Sequence, residues 1–281
     1  MGIGHHHGRT HRLDWEDVSI REWDCTVVWS NALGAGSPHH VPVEVVAGAL
    51  MRAQSNRGPN VGWSAVTAEA GIVLDRSAFY PGGGGQPPDH GVLLWQGVQT
   101  RIVGTRKGDD LFLLPAPGDP VPAAGAAVRG ALDDDRRSSL MRTHSGLHVL
   151  CGTVFRDFGA LVTGNSMEPG EARMDFNLPD IPPDFKQSLE DTVNAEIEAD
   201  RKIEVRELPR EEALAIPDIV RTAGRVPPEE ARMRIVDIVG LDMQADGGTH
   251  VASTRQIGRV QVVKVDNKGR QNRRVRIRLT G

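Results

Sequence analysis

Cysteine is scarce in this chain: Cys25 and Cys151 are the two it has in 281 residues. Two cysteines cannot make a disulfide framework, which removes the small secreted scaffolds from consideration and points to a reducing, cytoplasmic setting. Aromatic residues are 4% of the chain, so aliphatic side chains have to build the core. No apolar run reaches the ~18 residues that a membrane helix needs, so no membrane partner is expected. The stretch from Met1 to Trp15 is polar and histidine-rich and lacks the apolar segment of a secretory signal. His5, His6 and His7 read as a possible tag remnant and are set aside.

What is present is a foldable composition, 39% hydrophobic and 25% charged, with an unusually large share of turn formers, 32 Gly and 18 Pro. The runs at Thr26–Trp29, Gly71–Leu74, Val92–Trp95, Arg101–Val103, Leu111–Leu114 and Ala126–Leu132 are short, apolar and separated by turns. That spacing predicts a small antiparallel β-barrel. The stretch Gly34–Gly62 interrupts it with little periodicity, apart from a possible short helix in Glu44–Gln54, and reads as an insertion. Character changes near Asp133–Arg137. Ser138–Phe158 and Pro182–Asp200 carry apolar residues at helical spacing, and Pro209–Ala215 reads as a short helix. Ala172–Phe176, Ile203–Leu208 and Arg234–Val239 read as strands, and Gly258–Val265 with Arg274–Leu279 as a terminal hairpin. The fold class expected is α+β: an N-terminal barrel domain over residues 1–135, then an α+β domain over 136–281.

Three features can carry chemistry. His144 and His148 lie four apart on a predicted helix, which sets both imidazoles on one face about 6 Å apart at Cβ. Taken alone, H-x-x-x-H is more often a capping or packing pair than a metal pair. Asp246-Gly-Gly-Thr-His250 adds a carboxylate and an imidazole across a tight turn: either the two motifs together offer a tetrahedral zinc set, or Asp246 caps the turn and His250 is a surface residue. Cys151, three residues past His148, is a rival ligand or a packed thiol. The third feature is Tyr80-Pro-Gly-Gly-Gly-Gly-Gln86. Its glycines permit close backbone approach to a ligand, and Gln86 can both donate and accept, but the run matches no nucleotide-binding pattern. Charge is uneven as well. Residues 255–281 hold nine Lys/Arg against one acid, Asp266, in a chain of net charge −4. The segment is a candidate polyanion footprint or simply a solvated edge hairpin.

In order and spacing, Phe79-Tyr-Pro-Gly-Gly-Gly-Gly-Gln-Pro-Pro-Asp-His-Gly91, His144-Ser-Gly-Leu-His148 and Asp246-Gly-Gly-Thr-His250 resemble AlaX. These proteins are free-standing relatives of the editing domain of alanyl-tRNA synthetase. The resemblance covers roughly Gly71 to Gly281. It implies deacylation in trans of mischarged alanine tRNA, chiefly the seryl and also the glycyl ester. It also implies a Zn2+ site made by His144, His148, position 246 and His250, and a small barrel packed on an α+β editing domain. Position 246 is often Cys in that family, so metal preference is a point of departure; Gly82, standing where Glu is common, is a second.

Rejecting the correct alanyl ester calls for a polar pocket that leaves buried groups unpaired when a methyl replaces the hydroxymethyl. Gln86 and Thr249 are the candidates for it, with Gly83, Gly84, Gly85, Arg273 and Arg274 as further substrate contacts. Two other readings use the same residues: a zinc hydrolase acting on another aminoacyl-tRNA or a small ester, and a tRNA-binding module with a degraded site. The sequence leaves the oligomeric state open.

Overall fold

The computed structural model describes residues 6–7, 9–31, 71–224 and 230–281. The expected insertion at 34–62, with its possible helix, lies outside the described residues. A three-stranded sheet of order β1-β2-β5 gathers β1 (His6–His7), β2 (Thr10–Arg12) and β5 (Arg76–Ser77), with a short helix α1 (Leu13–Glu16) after β2. Within the polar N-terminal stretch, residues 9–15 are therefore structural. Thr10, Arg12 and Asp14 are buried, and Arg12 forms a bidentate ion pair with Asp14 at 2.6 and 2.5 Å.

The barrel comprises β3 (Glu22–Asn31), β4 (Gly71–Leu74), β6 (Gly91–Trp95), β7 (Val98–Lys107), β8 (Leu111–Pro115) and β9 (Ala127–Leu132), closed in the order β3-β4-β8-β7-β6-β9. Closure leaves no open sheet edge. Inward residues alternate along the strands, and Val27, Ile72, Leu93, Ile102, Leu113 and Val128 fill the interior. Trp23 meets Phe79 edge-on, with centroids 5.2 Å apart. Strands β3 and β7 are each 10 residues long, well beyond their apolar kernels, because their outer positions are polar and carry no apolar signal.

Helix α2 (Asp134–Phe158) begins four residues before the apolar periodicity does. Its start is set by capping: the Asp133 carboxylate accepts from the Arg136 N–H at 3.0 Å, and Asp134 and Asp135 sit at the positive end of the helix dipole. It ends at Gly159, in the left-handed conformation. Helix α3 (Phe185–Glu198) buries Phe185, Leu189, Val193 and Ile197 on one stripe, as their spacing requires.

Both helices pack on an antiparallel sheet of order β10-β11-β16-β15, from β10 (Val162–Glu168), β11 (Glu171–Phe176), β15 (Arg259–Asn267) and β16 (Arg273–Thr280). A second sheet joins β12 (Ile203–Pro209), β13 (Arg232–Ile238) and β14 (Asp242–Ala245), with helix α4 (Arg210–Leu214) following β12. The architecture is thus a closed barrel with an α+β part. No helix among the described residues is long and apolar enough to cross a membrane.

Candidate metal centre

Helix α2 contributes His144 and His148, whose rings lie one turn apart with centroids separated by 5.0 Å. The turn after β14 contributes Asp246 and His250. The His250 ring stands 4.4 Å from that of His144 and 4.7 Å from that of His148. One ligand atom from each of the four residues falls within 4.8 Å of all the others. The Asp246 carboxylate lies between the rings. Its Oδ1 is 3.6 Å from His144 Nε2 and 3.9 Å from His148 Nε2, and its Oδ2 is 3.2 Å from His250 Nε2. The three imidazoles are buried, while the Asp246 side chain keeps 14% of its exposure and forms the open side of the group.

Burial pulls the His144 pKa down to about 4, with the neighbouring His148 adding to it. Burial and His144 hold His250 well below its ordinary value. For Asp246, burial alone favours the neutral acid, but the facing histidines outweigh it and hold the carboxyl well below its usual range. A neutral His144 and His250 beside an ionised Asp246 are protonation states that suit a divalent metal ligand set. The donor chemistry therefore fits a divalent ion, and the four residues form a cluster that could hold one.

The rings are oriented from behind. Gln86 Oε1 accepts from the Thr249 N–H at 3.1 Å, which fixes the amide orientation because only its oxygen can accept there. The same oxygen lies 2.8 Å from His144 Nδ1, so Nδ1 carries the proton and Nε2 turns a lone pair to the cluster. Gln86 Nε2 donates to Thr249 Oγ1 at 2.9 Å. Ser145 Oγ, which accepts from the Val251 N–H at 3.1 Å, stands 3.3 Å from His250 Nδ1. Gln86 and Thr249 are thus both buried and bonded to each other. Gln86 Oε1 reaches His144 Nδ1 as well as Thr249, so the pair expected to touch substrate also backs a histidine of the cluster.

The glycine run is a tight turn. Gly83 and Gln86 exchange backbone hydrogen bonds of 3.0 and 2.9 Å around Gly84 and Gly85, whose φ values of 59° and 99° suit glycine in a primed turn. A Cβ on Gly84 would lie 3.6 Å from Asp246 Oδ1, so this turn sits directly against the open side of the cluster. Asn165, which the sequence did not single out, donates from Nδ2 to the Gly84 carbonyl at 3.0 Å. Gly248 has no room for a side chain, since a Cβ would fall 2.2 Å from His144 Cε1.

Cys151 lies outside the four-residue group. Its thiol faces Gln244 and the Asp242–Arg221 pair, and burial pushes its pKa up, away from the thiolate that binds metal. Arg273 and Arg274 also stand apart. The Arg274 guanidinium forms a bidentate pair with Asp175 at 2.7 and 2.7 Å. Arg273 donates to the backbone carbonyls of Asn272 and Pro179.

Residues 233–276 match the family model described as the threonyl and alanyl tRNA synthetase second additional domain. The chain is 40% identical over 210 residues to the alanyl-tRNA editing protein AlaX-M of Saccharolobus solfataricus, covering 73% of this chain and 86% of the relative. It is 34% identical over 218 residues to AlaX-M of Methanosarcina acetivorans, covering 75% and 89%. It is also 35% identical over 201 residues to the alanine–tRNA ligase of Pyrobaculum neutrophilum, covering 69% of this chain and 22% of that enzyme.

Proposed function

Because the chain belongs to the AlaX family of alanyl-tRNA editing proteins, we propose that it is an aminoacyl-tRNA deacylase that hydrolyses mischarged tRNA(Ala) in trans. The seryl ester is the chief substrate and the glycyl ester a second one. The observation that carries this reading is the convergence of His144, His148, Asp246 and His250 beside the Gly83–Gly85 turn. In this reading residues 1–135 form the barrel unit and 136–281 the editing unit.

His144, His148, Asp246 and His250 would hold zinc, which when bound would supply Lewis-acid chemistry to ester hydrolysis. The protein's own residues do the placing. Gln86 keeps the His144 lone pair aimed inward and ties it to Thr249, while Ser145 backs His250. The glycine turn offers backbone without side chains beside Asp246, so the small aminoacyl end of a tRNA reaches the cluster through it. Asp246 in place of a thiolate makes the set harder, so selectivity for zinc over Mn2+ or Co2+ is smaller than for a cysteine site.

The test is to incubate the protein with seryl-, glycyl- and alanyl-tRNA(Ala) and follow ester loss. Fast loss of the seryl ester, slower loss of the glycyl ester and survival of the alanyl ester support the reading. Equal rates on all three, or no hydrolysis, contradict it.

A further inference from the structure

Arg234, on β13, is buried, at 6% exposure, and among the described residues its guanidinium makes no ion pair. Burying an arginine without a carboxylate partner costs free energy unless its donors are used. Here the donors go to backbone. Nη1 donates to the Asp246 carbonyl at 3.2 Å and to the Gly248 carbonyl at 2.7 Å, so both of its hydrogens are spent on one turn. The Arg234 carbonyl in turn accepts from the Asp246 N–H at 3.1 Å. Nε is buried and has no hydrogen-bond partner among the described residues. Burial pushes the guanidinium pKa down, though an arginine stays charged at neutral pH.

We propose that Arg234 is the positioning residue for the metal-binding turn: its side chain grips the Asp246 and Gly248 carbonyls and so aims the Asp246 carboxylate and the His250 ring at the two histidines of α2. The proposal rests on the reading of the four-residue cluster as a metal site. The turn needs an outside hold because Gly247 and Gly248 have little conformational preference of their own. Its internal side-chain braces both end on Asp246 Oδ2, which accepts from the Gly248 N–H at 2.5 Å and lies 3.2 Å from His250 Nε2, and that is an oxygen of the ligand carboxylate itself. Slack is small, since Gly248 passes so near His144 that no Cβ fits. A charge-assisted bond to each of two carbonyls fixes the turn without using the ligand atoms.

The experiment measures zinc affinity by chelator competition, and the Co2+ absorption spectrum, in the full chain and in His144→Ala, Arg234→Met and Arg234→Lys. The intact protein should bind about one equivalent, and His144→Ala should not; if both fail to differ, the metal reading itself falls, and with it the proposal. Given wild-type binding, Arg234→Met should bind about 10–100-fold more weakly, the usual effect of removing an outer support of a metal site. Its Co2+ spectrum should be altered. Arg234→Lys, which keeps a cationic donor on a similar stem, should recover part of the loss. Wild-type affinity and spectrum in Arg234→Met would overturn the proposal. So would equal losses in Met and Lys, which would point to packing, or global unfolding of both variants, which would make Arg234 a general core residue.

Discussion

Gln86 connects the glycine turn of the barrel to a histidine of α2 and to Thr249 of the following turn, all through one amide. Its loss should therefore act on the proposed metal cluster and not only on substrate. Gln86→Ala is expected to weaken zinc binding about 10–100-fold at unchanged secondary structure. Chelator competition checks this, and undiminished affinity would return Gln86 to a pure substrate contact. The two thiols make a second residue-scale prediction. Burial pushes Cys25 up to about 12 and raises Cys151 as well, so neither should react with a disulfide reagent in the native protein at pH 8. Both should react in denaturant; titration of free thiol in the two conditions decides it. At this scale the four cluster residues were legible, because helical periodicity places His144 beside His148 and a glycine turn places Asp246 near His250. Ser145, Asn165 and Arg234 were not, since each works through an approach between segments distant in sequence, which spacing does not encode.

Helix α2 carries half of the cluster, and its place against the barrel is fixed by a buried pair two turns before His144. Arg137 and Asp89 are 0% and 1% exposed. The Arg137 guanidinium also donates to the carbonyls of Val18 and Ala78, and Asp89 accepts from the Tyr80 N–H at 2.7 Å. The strand end, the start of the glycine run and the helix thus share one charge network. Removing one partner leaves an uncompensated buried charge, so Asp89→Ala should cost about 3–5 kcal/mol of stability. Urea denaturation measures it; a loss below ~1 kcal/mol would mean that water or another group takes over. Helices α2 and α3 and most barrel strands were readable from apolar period alone. Strand β10 was not, because Gly164, Asn165 and Ser166 are poor strand formers and its burial does not alternate. Strand β14 is four residues long and offers too little pattern.

Across the whole molecule, the charge asymmetry read from the sequence resolves into paired and unpaired cations. Arg274, Arg276 and Arg278 pair with Asp175, Asp266 and Glu171. Reversing Arg274 would thus break a structural pair as well as any phosphate contact. Arg259, Lys268 and Arg270 are exposed and make no ion pair among the described residues. If this edge meets the tRNA backbone, Lys268→Gln and Arg270→Gln should each make the slope of log affinity against log salt shallower by about 1. Filter binding at several salt concentrations reads the slope, and an unchanged slope moves the RNA surface elsewhere. A catalytic metal at the His144–His148–Asp246–His250 cluster is tested most directly by seryl-tRNA(Ala) deacylation with protein stripped by chelator and then given one equivalent of zinc. The rate should collapse on stripping and return with zinc in the wild-type chain, but not in His144→Ala or His250→Ala. Undiminished hydrolysis by protein that elemental analysis finds metal-free would contradict it.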